Sequence, residues 1–177
     1  MTGTMQFRDA TAADAPLIAA IHVESWRGAY AHIMDPAYLA GPIEAERLAT
    51  WERRLAAPEP HQRVIVAEAE GSAIGFTCLI GAADARWGTL VDNLHARPAT
   101  KGMGVGSALL AEAARWSLAQ WPDAGMHLFC YTGNIAARGF YLHRGGQVVE
   151  DLVKPGPDGR VLPEERIYWG APGVLMR

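Results

Sequence analysis

The run His95-Ala-Arg-Pro-Ala-Thr-Lys-Gly-Met-Gly-Val-Gly-Ser-Ala-Leu-Leu110 joins the end of a strand to the start of a helix through three glycines. Gly102, Gly104 and Gly106 leave the backbone bare, so several N–H groups can turn toward one anion while the helix adds the positive end of its dipole. Behind them Val105, Leu109, Ala113 and Trp116 recur at helical spacing and give that helix an apolar stripe to lay on a sheet. Ahead of them Thr89-Leu-Val-Asp-Asn-Leu-His-Ala96 reads as a strand.

Two familiar phosphate-binding patterns do not fit. A P-loop places its lysine after the glycines, followed by Ser or Thr, whereas Lys101 precedes them. A dinucleotide fingerprint starts directly after a strand and finds an acidic residue at the end of the next one. Here five residues separate Ala96 from Gly102, and the next strand runs out in Tyr131-Thr132. Taken alone, the glycines also suit a flexible loop with no ligand. The sequence further on decides between these.

The flanking chain divides cleanly. Met5 to Asp9 is an edge-like strand, and Thr11 with Asp14 forms a capping box that opens a helix running to about Tyr30. On it Leu17, Ile18, Ile21 and Ser25 face the sheet, and His22, Trp26 and Tyr30 form a neighbouring stripe. Residues 31 to 41 connect, with a turn at Asp35-Pro36. A second helix spans Ile43 to Ala56 behind Pro42, with Glu44, Glu46, Arg47, Glu52, Arg53 and Arg54 outward as a solvated face, and Pro58 and Pro60 end it. A hairpin over 63–68 and 73–80 turns at Glu70-Gly71, and residues 84 to 88 turn into the central strand. After the glycine helix, Met126 to Thr132 is an apolar run suited to a buried strand. Asn134 starts a helix that ends near Gly145 and Gly146, and 147–153 with 165–169 make a last hairpin. One sheet with helices on both faces, α/β without full Rossmann alternation, follows from this order.

A chain of 177 residues, 50% hydrophobic and 20% charged, can bury one full core, so a single domain over residues 1–177 is expected. A net charge of −3 with no basic run argues against nucleic acid as the main partner. Cys78 and Cys130 stand apart inside apparent strands without metal spacing and read as buried thiols of a reducing compartment. The stretch Met1 to Phe7 has no leader pattern, and no apolar run reaches the roughly 18 residues of a membrane span, so a cytoplasmic location is expected.

The segment Lys101 to Leu110 resembles the acyl-CoA loop of the GNAT superfamily of N-acetyltransferases, Arg/Gln-x-x-Gly-x-Gly/Ala after a strand. Lys101 departs from the usual Arg or Gln, keeping the charge but not the planar fork. Asn134-Ile-Ala-Ala-Arg-Gly-Phe-Tyr-Leu-His-Arg-Gly-Gly146 is similar to the second signature of that superfamily, with Gly146 where Phe is usual. Two motifs in this order and spacing are far more specific than either alone.

The resemblance implies a central mixed, mostly antiparallel sheet, splayed where acetyl-CoA enters, with helices on both faces and no metal. It implies direct transfer of an acetyl group, within a ternary complex, to a primary amine of a small molecule or peptide, and leaves room for a homodimer. Backbone N–H groups around Leu94 and Ala96 would hold the pantetheine. The N–H groups of Gly102, Met103, Gly104, Val105, Gly106 and Ser107 would take the pyrophosphate, with Lys101 adding charge. Asn134 would cap its helix or reach the pantetheine through water. Tyr141 matches the tyrosine set beside the sulfur as general acid, since a phenol of pKa about 10 keeps its proton for a departing thiolate of pKa about 8.5. Its other reading is a packed tyrosine. His22 to Tyr30 resembles the first helix of one GNAT group, part of the acceptor wall, where Trp26 also suits simple packing. The base stays open among Glu24, His22, Asp92, Asn93 and His95, with Asp92 and His95 on different faces unless a bulge intervenes. The alternative activity is a non-catalytic acyl-CoA-binding or regulatory module, against which Tyr141 and the intact glycine loop weigh.

Overall fold

The computed structural model describes residues 4–177. Residues 1–3, part of the stretch read for a leader, lie outside the described residues. The chain runs β1 (Gln6–Asp9), α1 (Ala15–Ala29), α2 (Pro36–Ala40), α3 (Ile43–Ala56), β2 (Gln62–Ala69), β3 (Ser72–Asp84), β4 (Gly88–Ala96), α4 (Val105–Gln120), β5 (Met126–Tyr131), α5 (Ile135–His143), β6 (Gln147–Pro155) and β7 (Val161–Trp169). The strands form one sheet in the order β1-β2-β3-β4-β5-β7-β6. Every neighbouring pair is antiparallel except β4 and β5.

Helices cover both faces of the sheet. On one, α4 buries Val105, Leu109, Leu110, Ala113 and Ala114 against Leu79, Val91, Met126 and Ile167. Small residues let this helix come close. At Gly75, a Cβ would stand 2.9 Å from a Val105 methyl and 2.8 Å from the His95 carbonyl oxygen, so any side chain there would push α4 off the sheet. On the other face α1 and α3 bury Ile18, Ile21 and Trp51 against Val66 and Phe76. Trp51 is fully buried, and truncating such a side chain to Ala costs about 3–5 kcal/mol.

The structure departs from the expected boundaries where local signals were terse. The Asp35-Pro36 turn opens α2, because the Asp35 carboxylate accepts from the Ala37 N–H at 2.8 Å and Pro36 suits the first helical turn. Strand β3 runs on to Asp84 through an irregular register after Ile80. Strands β6 and β7 pair from Gln147↔Tyr168 to Pro155↔Val161, and leave only a short connection. The face of α3 read as wholly solvated is not so: Arg47 and Arg54 are half-buried, turned over the rings of Trp26 and Trp51 at 5.0 and 5.1 Å. Their aliphatic stems pack while the charged ends find aromatic faces.

Two irregularities in β4 position the site. Cys78 pairs with Asn93 and Leu79 with Val91, so Asp92 is an extra residue, a β-bulge. The bulge puts Asp92 and His95 on one face of the sheet, as the alternation of a regular strand would not. Arg54 confirms it, donating to Asp92 at 2.6 Å and to Asn93 at 3.2 Å. Then the parallel pairing of β4 with β5 lasts only for Thr89↔Met126 and Leu90↔His127. Beyond Leu90 the two strands part.

Candidate active site

The glycine loop meets α4 without a cap. Gly104 is left-handed (φ 76°) and offers no side-chain hydrogen bond to the helix. The first helical backbone bond runs from Ala108 to the Gly104 carbonyl, which leaves the N–H groups of Val105, Gly106 and Ser107 without backbone partners. Gly102 is also left-handed (φ 87°), and nothing lies within 4 Å of where a Cβ would be at Gly102 or Gly104. These N–H groups open on a cleft of about 900 Å³, which Lys101, Ala96, Asn134 and Phe140 also line. Met103 does not line it; its N–H is tied to the Thr100 carbonyl at 3.1 Å and its side chain is exposed. Leu94 packs on the core and reaches the site only through its backbone. Arg97 donates its N–H across β3 to Ile74, so by alternation the N–H groups of Ala96 and Leu94 point the other way, into the gap left by β5. Asn134 caps α5, accepting from the Ala137 N–H at 3.3 Å.

A second cavity, of about 310 Å³, lies across the parted strands, with Asp92, Asn93 and His95 on one wall and Phe129, Tyr131 and Glu164 on the other. Trp26 of α1 and Tyr30, which caps its C-terminus, also line it. Ser25 lines the first cavity and His95 the second, and the two side chains bond at 2.9 Å. His95 also stacks on His22, with ring centroids 4.4 Å apart. Burial pushes the His95 pKa down to about 3, with Arg47 adding to the effect. Burial likewise holds His22 well below the usual range, helped by His95 and by Arg47 and Arg54. The Trp51 indole donates to Nδ1 of His22 at 3.0 Å, which fixes the neutral ring with its proton on Nε2.

The other expected bases are engaged. Glu24 is paired with Arg97. Asp92 is paired with Arg54 at 2.6 Å. Glu164 is paired more loosely: its Oε2 is buried without a hydrogen bond and meets the Lys154 ammonium at 3.4 Å. Tyr141 lines neither cavity. It stands half-buried on α5, edge-on to Trp169, next to Phe140 of the first cavity, and its burial, with Cys130 beside it, raises the phenol pKa above the ordinary range. Tyr30, a wall of the second cavity, has its own pKa raised by burial and by Tyr141 among its neighbours.

Residues 22–145 match the acetyltransferase (GNAT) family. The chain belongs to that family. It is 32% identical over 142 residues to a Mycobacterium tuberculosis protein named a probable N-acetyltransferase, covering 77% of this chain and 76% of that protein. Two solved structures share the fold. A GCN5-related N-acetyltransferase from Rhodopseudomonas palustris matches with a TM-score of 0.76 at 21% identity, over 95% of this chain and 96% of the other. The PaiA N-acetyltransferase from Thermoplasma acidophilum, solved in complex with coenzyme A, matches with a TM-score of 0.68 at 20% identity, over 92% and 99%. The GNAT sheet expected from the two motifs, mixed and parted at the glycine loop, is the one observed.

The second cavity was legible only in part: Trp26, Tyr30, Asp92, Asn93 and His95 were singled out from the sequence, and its far wall was not. Glu164, Tyr131 and Phe129 come from β7 and β5, and a last hairpin with an apolar strand gave no chemical signal. The inward turn of Arg47 had one faint sign, its place four residues before Trp51 on the stripe that faces α1.

Proposed function

We propose that this GNAT enzyme transfers the acetyl group of acetyl-CoA directly to a primary amine of a small molecule or peptide, both substrates being bound at once. The uncapped start of α4, opening on a cleft that meets the parted strands, carries this reading. Bare N–H groups, a dipole end and Lys101 suit a pyrophosphate, and the glycines leave room for it. Bound acetyl-CoA supplies the thioester, whose carbonyl carbon bonds to the amine nitrogen as its C–S bond breaks.

The chain's own groups manage charge and protons. The free N–H groups of Leu94 and Ala96 steer the pantetheine arm and face developing negative charge on the carbonyl oxygen. The incoming ammonium must lose a proton before it attacks. His95, at a pKa of about 3, is too weak a base for that, and Asp92 is neutralised by Arg54. Glu164, on the cavity wall and held only by a looser pair with Lys154 at 3.4 Å, is the group that takes the proton. Tyr141 gives a proton to the leaving thiolate, and its raised pKa keeps that proton in place through the working range.

The test is thiol release on mixing the protein with acetyl-CoA and a panel of primary amines, with the product identified by mass. Acetylated amine in step with free CoA is expected. Tight CoA binding without turnover on any amine would leave the non-catalytic acyl-CoA module as the reading.

A further inference from the structure

A primary amine of the protein itself stands in the second cavity. The sequence holds two lysines, Lys101 and Lys154. Its other permanent cations are arginines, whose guanidinium keeps its protons, whereas a lysine that sheds one proton becomes a nucleophilic amine. Lys101 belongs to the glycine loop and lines the first cavity. Lys154, on β6, lines the second, together with Asn93 and His95 of the parted strand β4. Its ammonium lies 3.3 Å over the centre of the Phe129 ring and 3.4 Å from Oε2 of Glu164. An aromatic face and a carboxylate are what the ammonium of a substrate would seek there. Neighbouring ion pairs of the same sheet close more tightly: Arg166 donates to Glu150 at 2.7 Å and Arg138 to Glu165 at 2.6 Å. Oε2 of Glu164 accepts no hydrogen bond, and the Lys154 side chain stays 43% exposed, so its flexible stem is free to carry the amine along the cavity.

We propose that Lys154 is a site of self-acetylation: with acetyl-CoA bound and no free amine in the cavity, its Nζ takes the acetyl group. This rests on the acetyltransferase reading and on Glu164 as proton acceptor, and adds a modification site to them. Glu164 takes one proton from the ammonium, and the freed lone pair of Nζ bonds to the thioester carbonyl carbon. The C–S bond breaks and its electron pair leaves with the sulfur. The nitrogen sheds a second proton as the sulfur gains one, so the products are Nζ-acetyllysine, CoA thiol and one proton that Glu164 passes to solvent. The amide so formed carries no charge and no longer pairs with Glu164. Lys101, on the other cavity, serves as the internal control.

Mass spectrometry tests this on the full chain, incubated with acetyl-CoA and no acceptor. The protein should gain the mass of one acetyl group, and peptide mapping should place it on Lys154, at least tenfold faster than on Lys101. The rate constant should not change with protein concentration, as befits transfer within one molecule. Lys154→Arg should lose the modification while keeping its circular dichroism spectrum, and Glu164→Gln should slow it tenfold or more. Should Glu164→Gln not fold, excess free CoA decides on the native protein, since it displaces acetyl-CoA from the loop and should suppress labelling of Lys154. Equal labelling of the two lysines, or labelling of Lys154 that survives both excess CoA and Glu164→Gln, would reduce the reaction to chemical acetylation and overturn the proposal. Thiol release on a panel of free amines separates the two ideas. Turnover of free amines with Lys154 unmodified sinks self-acetylation and leaves the acetyltransferase reading. No thiol release with or without amines, and no acetyl on Lys154, sinks both.

Discussion

The two cavities of this protein are built on opposite principles. The glycine-loop cleft has one wall of contiguous backbone, a run from Ala96 to Ser107 whose N–H groups need no side chains to bind an anion, with α1 and α5 completing it. The second cavity is made by side chains from α1, β4, β5, β6 and β7, brought together by the fold. A backbone site tolerates little change in conformation but is indifferent to most side chains. A side-chain site tolerates changes of backbone and depends on single functional groups. Substitutions in the two should therefore fail differently.

The largest effect belongs to the backbone side. Gly104→Asp puts a Cβ at a left-handed residue and a carboxylate among N–H groups meant for phosphate, so saturable CoA binding should vanish by calorimetry, a loss of about 10³-fold or more. Native affinity in a folded Gly104→Asp protein would mean that the loop is not the cofactor site. On the other side, Glu164→Gln should leave CoA affinity intact and lower kcat/KM by about 10³-fold through loss of the proton acceptor. A weakened CoA affinity in that variant would erase the distinction between the two cavities. Tyr141→Phe should lower kcat by about 10²-fold at unchanged CoA affinity. Because burial lifts the Tyr141 pKa above the ordinary phenol range, the wild-type rate should show no fall near pH 10 from this group. A rate in the Phe variant within a few-fold of wild type would reduce Tyr141 to packing against Trp169.

The same contrast explains what could be read before the fold was known. The glycine loop, the α4 stripe and the Asn134 cap are local, and each has a spacing rule, so both the sheet and the glycine-loop cleft were legible. The second cavity was legible only in its α1 and β4 residues, because how they meet is tertiary. Whether Asp92 and His95 share a face depends on a one-residue bulge that no composition signal marks. Arg47 and Arg54 look like any exposed helix charges until Trp26 and Trp51 are seen beneath them. His22 and His95 read as unrelated residues, 73 positions apart, and the fold stacks them.

That stacked pair gives the next prediction, on stability. Both imidazoles are held below the unfolded value of 6.5, so the unfolded chain takes up protons first as the pH falls. Their contribution is complete above pH 6.5 and is lost as the pH drops toward the folded value of about 3 for His95, each ring steepening the loss by up to about 1.4 kcal/mol per pH unit. Asp14, lowered to about 2 by its bond to Arg8, adds a separate loss only below its ordinary value of 3.8. Urea midpoints between pH 7.5 and 5 should fall in the wild type and fall less steeply in His95→Gln. Parallel slopes would show that His95 is not held neutral by the fold.

The smallest effect tests how closely backbone logic holds within the loop itself. Gly106 is helical rather than left-handed, and a Cβ there would sit 3.4 Å from the Phe140 ring, a contact that a shift of a few tenths of an ångström relieves. Gly106→Ala should therefore keep CoA affinity within about fivefold, roughly 1 kcal/mol, because the N–H stays where it was. It should also raise the melting temperature slightly, since Ala in a helix is worth about 0.5–1 kcal/mol over Gly. Gly102→Ala meets open space but must hold a left-handed φ of 87°, so it should lose stability by about 1–2 kcal/mol instead. If Gly106→Ala costs as much CoA affinity as Gly104→Asp, the phosphate lies against Gly106 itself, and the loop is then limited by space at that residue rather than by its backbone conformation.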